Sequence, residues 1–388
     1  MKTFLGTIAI VLTSLLTNAQ FDISGIVTNN EGEVLRGATI TLDIKNVQRT
    51  QTNQNGEFSF LNVPAGKYNI KAEFIGMQAF DTSVNVTANA HLQIQLNPSD
   101  DFLQPLEVSS LRASDRAPFT KTNITKTDIA KINVGQDIPI LLNQTPSVTI
   151  TTDAGNGVGY TGIRIRGTDA TRINVTLNGI PFNDAESMAT YFVDLPDFIS
   201  SVNSIQIQRG VGTSTNGPGA FGATINLSTN EWNKKAYAEL ENSYGSFDTW
   251  KNTVKIGSGL IDNHFTIDAR LSRITSDGYI DRATSDLKSF YVSTGYLAKN
   301  TSLRFNIFSG KEKTYQAWYG IPIDILNTDR TFNPAGTEKP GTPYNNQTDN
   351  YWQTHYQLFV DHDFNKNWKF NTAFFLVRGK GYYEEYKA

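Results

Sequence analysis

Arg164 and Arg166 alternate with Ile163 and Ile165 before Gly167, and Arg209 precedes Gly210 at the end of a similar run, Ser204 to Gln208. Guanidinium groups are planar forks of donors, so in a partly buried setting they suit pairing with carboxylates better than lysine does. Little else in the chain points to chemistry. The four histidines, at 91, 264, 355 and 362, show no zinc-binding spacing, no Gly-x-Ser-x-Gly elbow occurs and there is no cysteine. His355 and His362 are seven apart on one expected strand and so face opposite sides. No catalytic residue, metal ligand or cofactor is expected. Gly157-Val158-Gly159-Tyr160-Thr161-Gly162 matches the dinucleotide pattern literally. That signature needs a strand before it and a helix after it, whereas here a strand follows.

The elements that must hold these arginines belong to a chain of 388 residues, long enough for two or three domains. A net charge of −3 gives no basic surplus for nucleic acid. Residues 1–20 read as a secretory signal: Lys2, an apolar run from Phe4 to Leu16, then Thr17-Asn18-Ala19-Gln20. No later stretch is apolar for long enough to cross a bilayer as a helix, so a membrane protein of this sequence would have to be a β-barrel.

Residues 21–98 carry turn signals at Asn29-Asn30-Glu31-Gly32, Asn53-Gln54-Asn55-Gly56 and Pro64-Ala65-Gly66, with short alternating runs between them. Such spacing predicts a small immunoglobulin-like β-sandwich. The stretches ISGIVTNNEGEVLRGATITL, TNQNGEFSFLNVPAGKYNI and FIGMQAF resemble the carboxypeptidase regulatory-like domain, which is non-catalytic.

Residues 99–118 hold Pro105 and Pro118 with few apolar side chains and read as a linker. Within it, Leu106-Glu107-Val108-Ser109-Ser110 has the character of an extended stretch seeking a partner. Beyond it, 119–232 reads as an α+β domain. Short helices are expected at Thr125–Ile132 and Asp137–Leu142, the second with Asp137 able to cap and Pro139 in its first turn, and strands at Gly162–Arg166, Ile173–Leu177, Ser204–Gln208 and Ala223–Leu227.

From 236 to 388 the pattern changes to long strands of period two. Trp250, Val254 and Ile256 alternate with Lys251, Thr253 and Lys255, and Phe265, Ile267, Ala269 and Leu271 with Thr266, Asp268, Arg270 and Ser272. Trp352, Tyr356, Leu358 and Val360 alternate with Gln353, His355, Gln357 and Asp361. Seven strands are expected, starting near Ala236, Asp248, Asn263, Ser289, Thr301, Asn350 and Lys366, with mostly alternating short and long connections. Such strands, with aromatics near their ends, fit part of an antiparallel transmembrane barrel. The fold class is therefore mainly β throughout.

The stretches DIPILLNQTPSV, IRIRGTDATRINVTLNGIPF and SIQIQRGVGTSTNGPGAFGATINLST, in that order, together resemble the plug domain of TonB-dependent outer-membrane receptors. The resemblance implies a plug inside the barrel, locked by Arg166 and Arg209 to barrel glutamates, with a charged interface that breaks and re-forms at modest cost. It implies that TonB, with its inner-membrane energising complex, engages Leu106, Glu107, Val108, Ser109 and Ser110 in the periplasm, where the N-terminal domain would also lie. Ligand contacts are expected from Tyr160, Asp184, Glu186, Tyr191 and Phe192 at the plug apex and from Trp318 and Tyr319 in a long outer loop. The implied activity is import of a scarce ligand, an iron chelate (siderophore) first, with an oligosaccharide or corrinoid as alternatives; a secreted adhesin or carbohydrate-binding protein is the rival of another class. A barrel housing such a plug has about 22 strands, so the sequence is expected to be the N-terminal portion of a longer receptor.

Overall fold

The structure is a computed structural model that describes residues 20–30, 32–44, 47–74, 77–97, 112–113, 117–213, 221–262, 264–298, 300–365 and 367–387. The signal segment up to Ala19 and the Leu106–Ser110 stretch lie outside the described residues. The chain divides into two compact units, residues 1–102 and 103–388.

In the first unit seven strands form two sheets: β1 (Gln20–Asn29), β2 (Thr39–Asp43), β3 (Gln48–Gln51), β4 (Glu57–Pro64), β5 (Gly66–Glu73), β6 (Phe80–Val86) and β7 (Ala90–Leu96). One sheet has the order β4-β1-β7 and the other β3-β2-β5-β6. Alternate residues Ile23 and Val27 of β1, Ile40 and Leu42 of β2, Phe58 and Phe60 of β4 and Ile70 and Ala72 of β5 meet in one buried core. Each of the larger side chains contributes about 1.5–3 kcal/mol through burial, which is what holds two sheets face to face. The Asn53-Gln54-Asn55-Gly56 turn closes as its residues predict. The Asn53 carboxamide oxygen accepts from the backbone N–H groups of Asn55 and Glu57, and Gly56 takes the positive φ of 74°.

The second unit has two layers. Its inner part begins with β8 (Lys121–Thr125), α1 (Lys126–Ile132) and α2 (Ile138–Leu141). It continues through β9 (Val148–Thr152), β10 (Thr161–Ile165), β11 (Ile173–Leu177), β12 (Ile180–Pro181), β13 (Ser204–Arg209) and β14 (Ala223–Ser228). A mixed sheet runs β12-β11-β14-β13-β8, with β11 and β14 parallel, and β9 and β10 form a separate hairpin. α1 starts at a capping box in which Thr125 and Asp128 bond each other's backbone N–H. α2 does not start as expected: Asp137 occupies its N-cap position but makes no capping bond, because its carboxylate is turned toward Thr161, whose hydroxyl donates to it over 3.1 Å. Ile165, Ile173, Leu177, Ile207, Ile225 and Phe198 fill the core between sheet and helices.

Around this part runs a seven-stranded antiparallel meander of β15 (Tyr237–Gly245), β16 (Thr249–Gly257), β17 (Phe265–Ser276), β18 (Ser285–Leu297), β19 (Thr301–Tyr315), β20 (Thr348–Asp363) and β21 (Lys369–Tyr383), in chain order. The strands begin within four residues of the expected places. Connections at 258–264, 298–300 and 364–368 are short; at the other rim those at 277–284 and 316–347 are longer, while the first there, 246–248, is short and breaks the alternation. The burial pattern is the reverse of a water-soluble protein's. Trp250, Val254, Ile267, Leu271, Phe305 and Leu358 face outward and are exposed, while Lys251, Thr253, Arg270, Arg304, Asn306 and Gln357 face inward and are buried. A soluble sandwich with the same period would turn these faces round. Polar side chains toward a plugged lumen and apolar ones toward lipid are what a transmembrane barrel wall requires. Among the described residues no helix is long and apolar enough to cross a membrane.

Candidate functional site

The inner domain packs on the inward face of the wall, and the contacts are mainly polar. Asn178, in the Asn-Gly turn after β11, donates to Gln357 over 3.0 Å, and the Gln357 amide returns a bond to the Leu177 carbonyl. Ser289 donates to the Pro196 carbonyl at 2.6 Å, Tyr291 to Thr229 at 3.0 Å and Asn306 to Asn230 at 3.2 Å. The Arg304 guanidinium lies 4.0 Å from the Trp232 ring centre. The inner domain comes very close to the wall at Gly310 of β19. A Cβ there would lie 2.0 Å from the Asp194 carbonyl oxygen, so only glycine leaves room for that backbone.

At the centre of this interface is a fully buried carboxylate, Asp197, in a left-handed conformation (φ 51°) before the 3-10 turn Phe198–Ser201. Lys251 Nζ of β16 is 3.2 Å from one oxygen and Arg270 Nη1 of β17 is 3.4 Å from the other. Thr253, Ser272 and Ser200 hydroxyls donate to it at 2.6 Å each, and Arg270 also donates to the Asp197 carbonyl oxygen at 2.5 Å. Burial pushes this carboxyl up, but the Arg270 and Lys251 charges and the hydroxyls outweigh it and hold the group below the usual carboxylate range. Sequence reasoning did not single out this node. The available signal was Lys251 and Arg270 at inward positions of neighbouring strands, since inward bases need an acid from elsewhere.

Arg166 and Arg209, expected to lock to wall glutamates, both have partners within the inner domain. Arg166, at φ 53°, donates to Thr120 over 2.8 Å, and Arg209 to the Pro146 carbonyl over 2.9 Å, both within the inner domain. Among the described residues neither is within ion-pair distance of a strand of the wall; the charge pairs joining domain and wall have the opposite polarity, acid inside and base outside.

At the rim bearing the long connections, the loop 153–160 meets the wall. Asn156 donates to Ser276 at 2.6 Å, and Tyr279 donates through its backbone N–H to the Ala154 carbonyl at 2.7 Å. The glycine-rich run resembling a nucleotide motif is this apex loop, with Gly157 and Gly159 at positive φ and β10 following. Tyr160 donates to Asp349 at 2.5 Å, has Glu312 3.3 Å from its hydroxyl, and meets Trp318 edge-on with ring centres 5.4 Å apart. Burial, then Glu312 and Asp349, push the Tyr160 hydroxyl far above its ordinary value. Trp318 in turn contacts Tyr319. The structure thus brings together Tyr160, Trp318 and Tyr319. Asp184 is engaged otherwise: its carboxylate accepts from the backbone N–H of Glu186 and Ser187 and organises their turn, leaving Glu186 and Tyr191 exposed. Phe192 corrects the expectation of a ligand contact, because it is buried in the domain core with Leu195 and Phe198.

Burial raises Asp137 to about 8, against the bonds from Thr161 and the Gly159 N–H, and burial with Asp349 and Asp184 nearby raises Asp194 to about 7. A folded-state value above the unfolded one means that the folded state holds the extra proton. The contribution of these two groups is therefore full below about pH 4 and lost as pH rises toward 8. Asp137→Asn should flatten the part of this decline nearest pH 8, read from denaturant midpoints across pH; an unchanged profile would show that Asp137 does not titrate there.

The family model of the carboxypeptidase regulatory-like domain matches residues 22–97, and that of the TonB-dependent receptor plug domain matches residues 113–224. The chain carries the plug domain and the fold of TonB-dependent receptors. Similar solved structures include the ferric yersiniabactin uptake receptor FyuA from Yersinia pestis, at 15% identity and a TM-score of 0.55, covering 70% of this chain and 43% of that one. The ferric-catecholate import receptor Fiu from E. coli has 16% identity and a TM-score of 0.54, covering 68% and 39%. The unliganded ferric citrate transporter FecA has 18% identity and a TM-score of 0.53, covering 70% and 42%. The chain thus spans about two fifths of the length of these three receptors. No curated protein matches it. In this fold the inner domain is the plug and the meander is barrel wall.

Proposed function

We propose that the chain serves an outer-membrane active transporter that imports a scarce ligand, an iron chelate first, with energy relayed by TonB from the inner membrane. The observation that carries this reading is the plug seated by polar contacts on the polar inner face of a wall whose outer face is apolar. A seat made of hydrogen bonds and ion pairs in a wet lumen exchanges its partners for water at far lower cost than a greasy one. The named cargoes of the similar structures, yersiniabactin, ferric catecholate and ferric citrate, support the choice of an iron chelate. Ligand would meet the plug apex and outer loops at Tyr160, Asp184, Glu186, Tyr191, Trp318 and Tyr319.

In this reading Leu106–Ser110 is the stretch that TonB engages, added as a strand to the partner's sheet edge, with the N-terminal sandwich on the same periplasmic side. Backbone hydrogen bonds supply most of such affinity, so the side-chain sequence is loosely constrained. Arg166 and Arg209 are proposed to face carboxylates of the lumen wall, since each guanidinium has five donors, more than the contacts above use.

Uptake of radiolabelled ferric chelates by cells relying on this receptor tests the proposal. Val108→Pro, which deletes a backbone N–H, should reduce uptake to background while surface binding of chelate persists. Undiminished uptake in that variant would remove the assigned TonB stretch, and no receptor-dependent uptake of any chelate would remove the iron-import reading.

A further inference from the structure

The wall neutralises the buried Asp197 with two bases, yet at the outer rim it does the reverse. Glu312, 1% exposed, and Asp349 project inward from β19 and β20 beside plug residue Asp194, whose carboxyl feels the Asp349 charge. Among the described residues no lysine or arginine forms an ion pair with any of the three. Tyr160 has one hydroxyl hydrogen for two carboxylates, and its 2.5 Å bond to Asp349 uses it. That leaves Glu312 Oε1 only the longer 3.3 Å approach to Tyr160, and Glu312 Oε2 is separately buried with no hydrogen-bond partner, as are the side-chain carbonyl oxygens of Gln316 and Gln347 at the same rim.

Acceptors therefore exceed donors in a place where an unmet acceptor costs about 1–3 kcal/mol and an unmet charge more. A partner that brings positive charge and several hydrogens would meet them. No three acidic or histidine side chains among the described residues converge closely enough to hold one metal ion, which favours a larger cation with spread donors. Trp318, 38% exposed and edge-on to Tyr160, borders the cluster on the solvent side and offers the aromatic surface such cations favour.

We propose that this apex cluster of Glu312, Asp349 and Asp194, walled by Tyr160 and Trp318, receives an ammonium or guanidinium group carried by the imported ligand. The assignment of the group to a cargo rests on the import reading; the cation site itself does not. Ligands whose positive group enters first are bound by plug and wall together, so the same contact reports occupancy to both.

Two binding measurements on the purified chain in detergent separate these parts. The first compares cadaverine, a diamine, with pentanediol, its uncharged analogue, by quenching of tryptophan fluorescence. The diamine should bind about tenfold or more tightly, and Glu312→Gln and Asp349→Asn should each remove the preference. Equal binding of amine and alcohol to the wild-type chain, or a preference that survives both substitutions, would overturn the cation site. The second compares the iron complex of desferrioxamine B, which carries a free ammonium, with its N-acetylated form, identical around the iron. Preference for the ammonium form, lost in Glu312→Gln, supports delivery by a chelate. Diamine binding with no chelate binding would leave the cation site standing and count against a chelate as its carrier.

Discussion

Asp197→Asn weakens the seating of the plug on the wall by about 3–5 kcal/mol, because it leaves buried Arg270 without an ion-pair partner and Lys251 with only the half-exposed Glu241 at 3.4 Å. The Asp197, Lys251 and Arg270 side chains are at most 2% exposed, so solvent screening does not soften the loss as it would for a surface pair. Denaturant midpoints, together with protease cleavage within the plug as a local readout, check the expectation. The triple variant Asp197→Asn, Lys251→Met, Arg270→Met should recover most of the loss, since it removes all three charges together and leaves the new side-chain amide to bond the Thr253, Ser272 and Ser200 hydroxyls. Should the single variant unfold at the wild-type midpoint, the node would not be the anchor described here. Acid gives an independent test with the opposite sign to Asp137. The Asp197 carboxyl is held below its unfolded value, so its contribution is complete above about pH 4 and is lost as pH falls through the depressed folded value.

Gly310→Val prevents the plug from seating against β19. The added Cβ would meet the Asp194 carbonyl oxygen at 2.0 Å and Pro196 Cδ at 2.6 Å, and neither is the movable end of a flexible side chain. Overpacking of this kind costs about 1–3 kcal/mol where neighbours can shift, and more where backbone blocks the shift. The Ser289 bond to the Pro196 carbonyl and the adjoining Asp197 cluster would be strained together. The expected result is a protease-sensitive plug with the wall's strand content retained in far-UV circular dichroism. Gly245→Val, at the exposed end of β15 with only an ordinary 4.0 Å contact for its would-be Cβ, is a control in which the plug stays protected.

The two variants also mark where the sequence stops being readable. Alternation of Phe265, Ile267 and Leu271 with Thr266, Asp268 and Arg270 is a local property, and it places a strand and divides its faces without any knowledge of neighbours. Turns at Asn53–Gly56 and Asn178-Gly179 are legible for the same reason, because they rest on backbone preferences of one or two residues. Asp137 shows the limit of such rules: a capping residue in the right place turned its carboxylate to Thr161, a partner 24 positions away.

By itself, then, the sequence determined the mainly β character, the seven wall strands, four of the plug strands and the division of each wall strand into an apolar and a polar side, all of which follow from spacing within a few residues, whereas β8, β9 and β12 of the plug were not expected. Only the tertiary structure decided that the polar side faces inward onto the plug, that Asp197 meets two bases more than fifty residues downstream, that Arg166 and Arg209 bond within the plug, and that Phe192 is core rather than surface. The physical reason is that a charge's partner depends on which strands lie side by side and in what register. Those long-range pairings leave no trace in the spacing of any single segment.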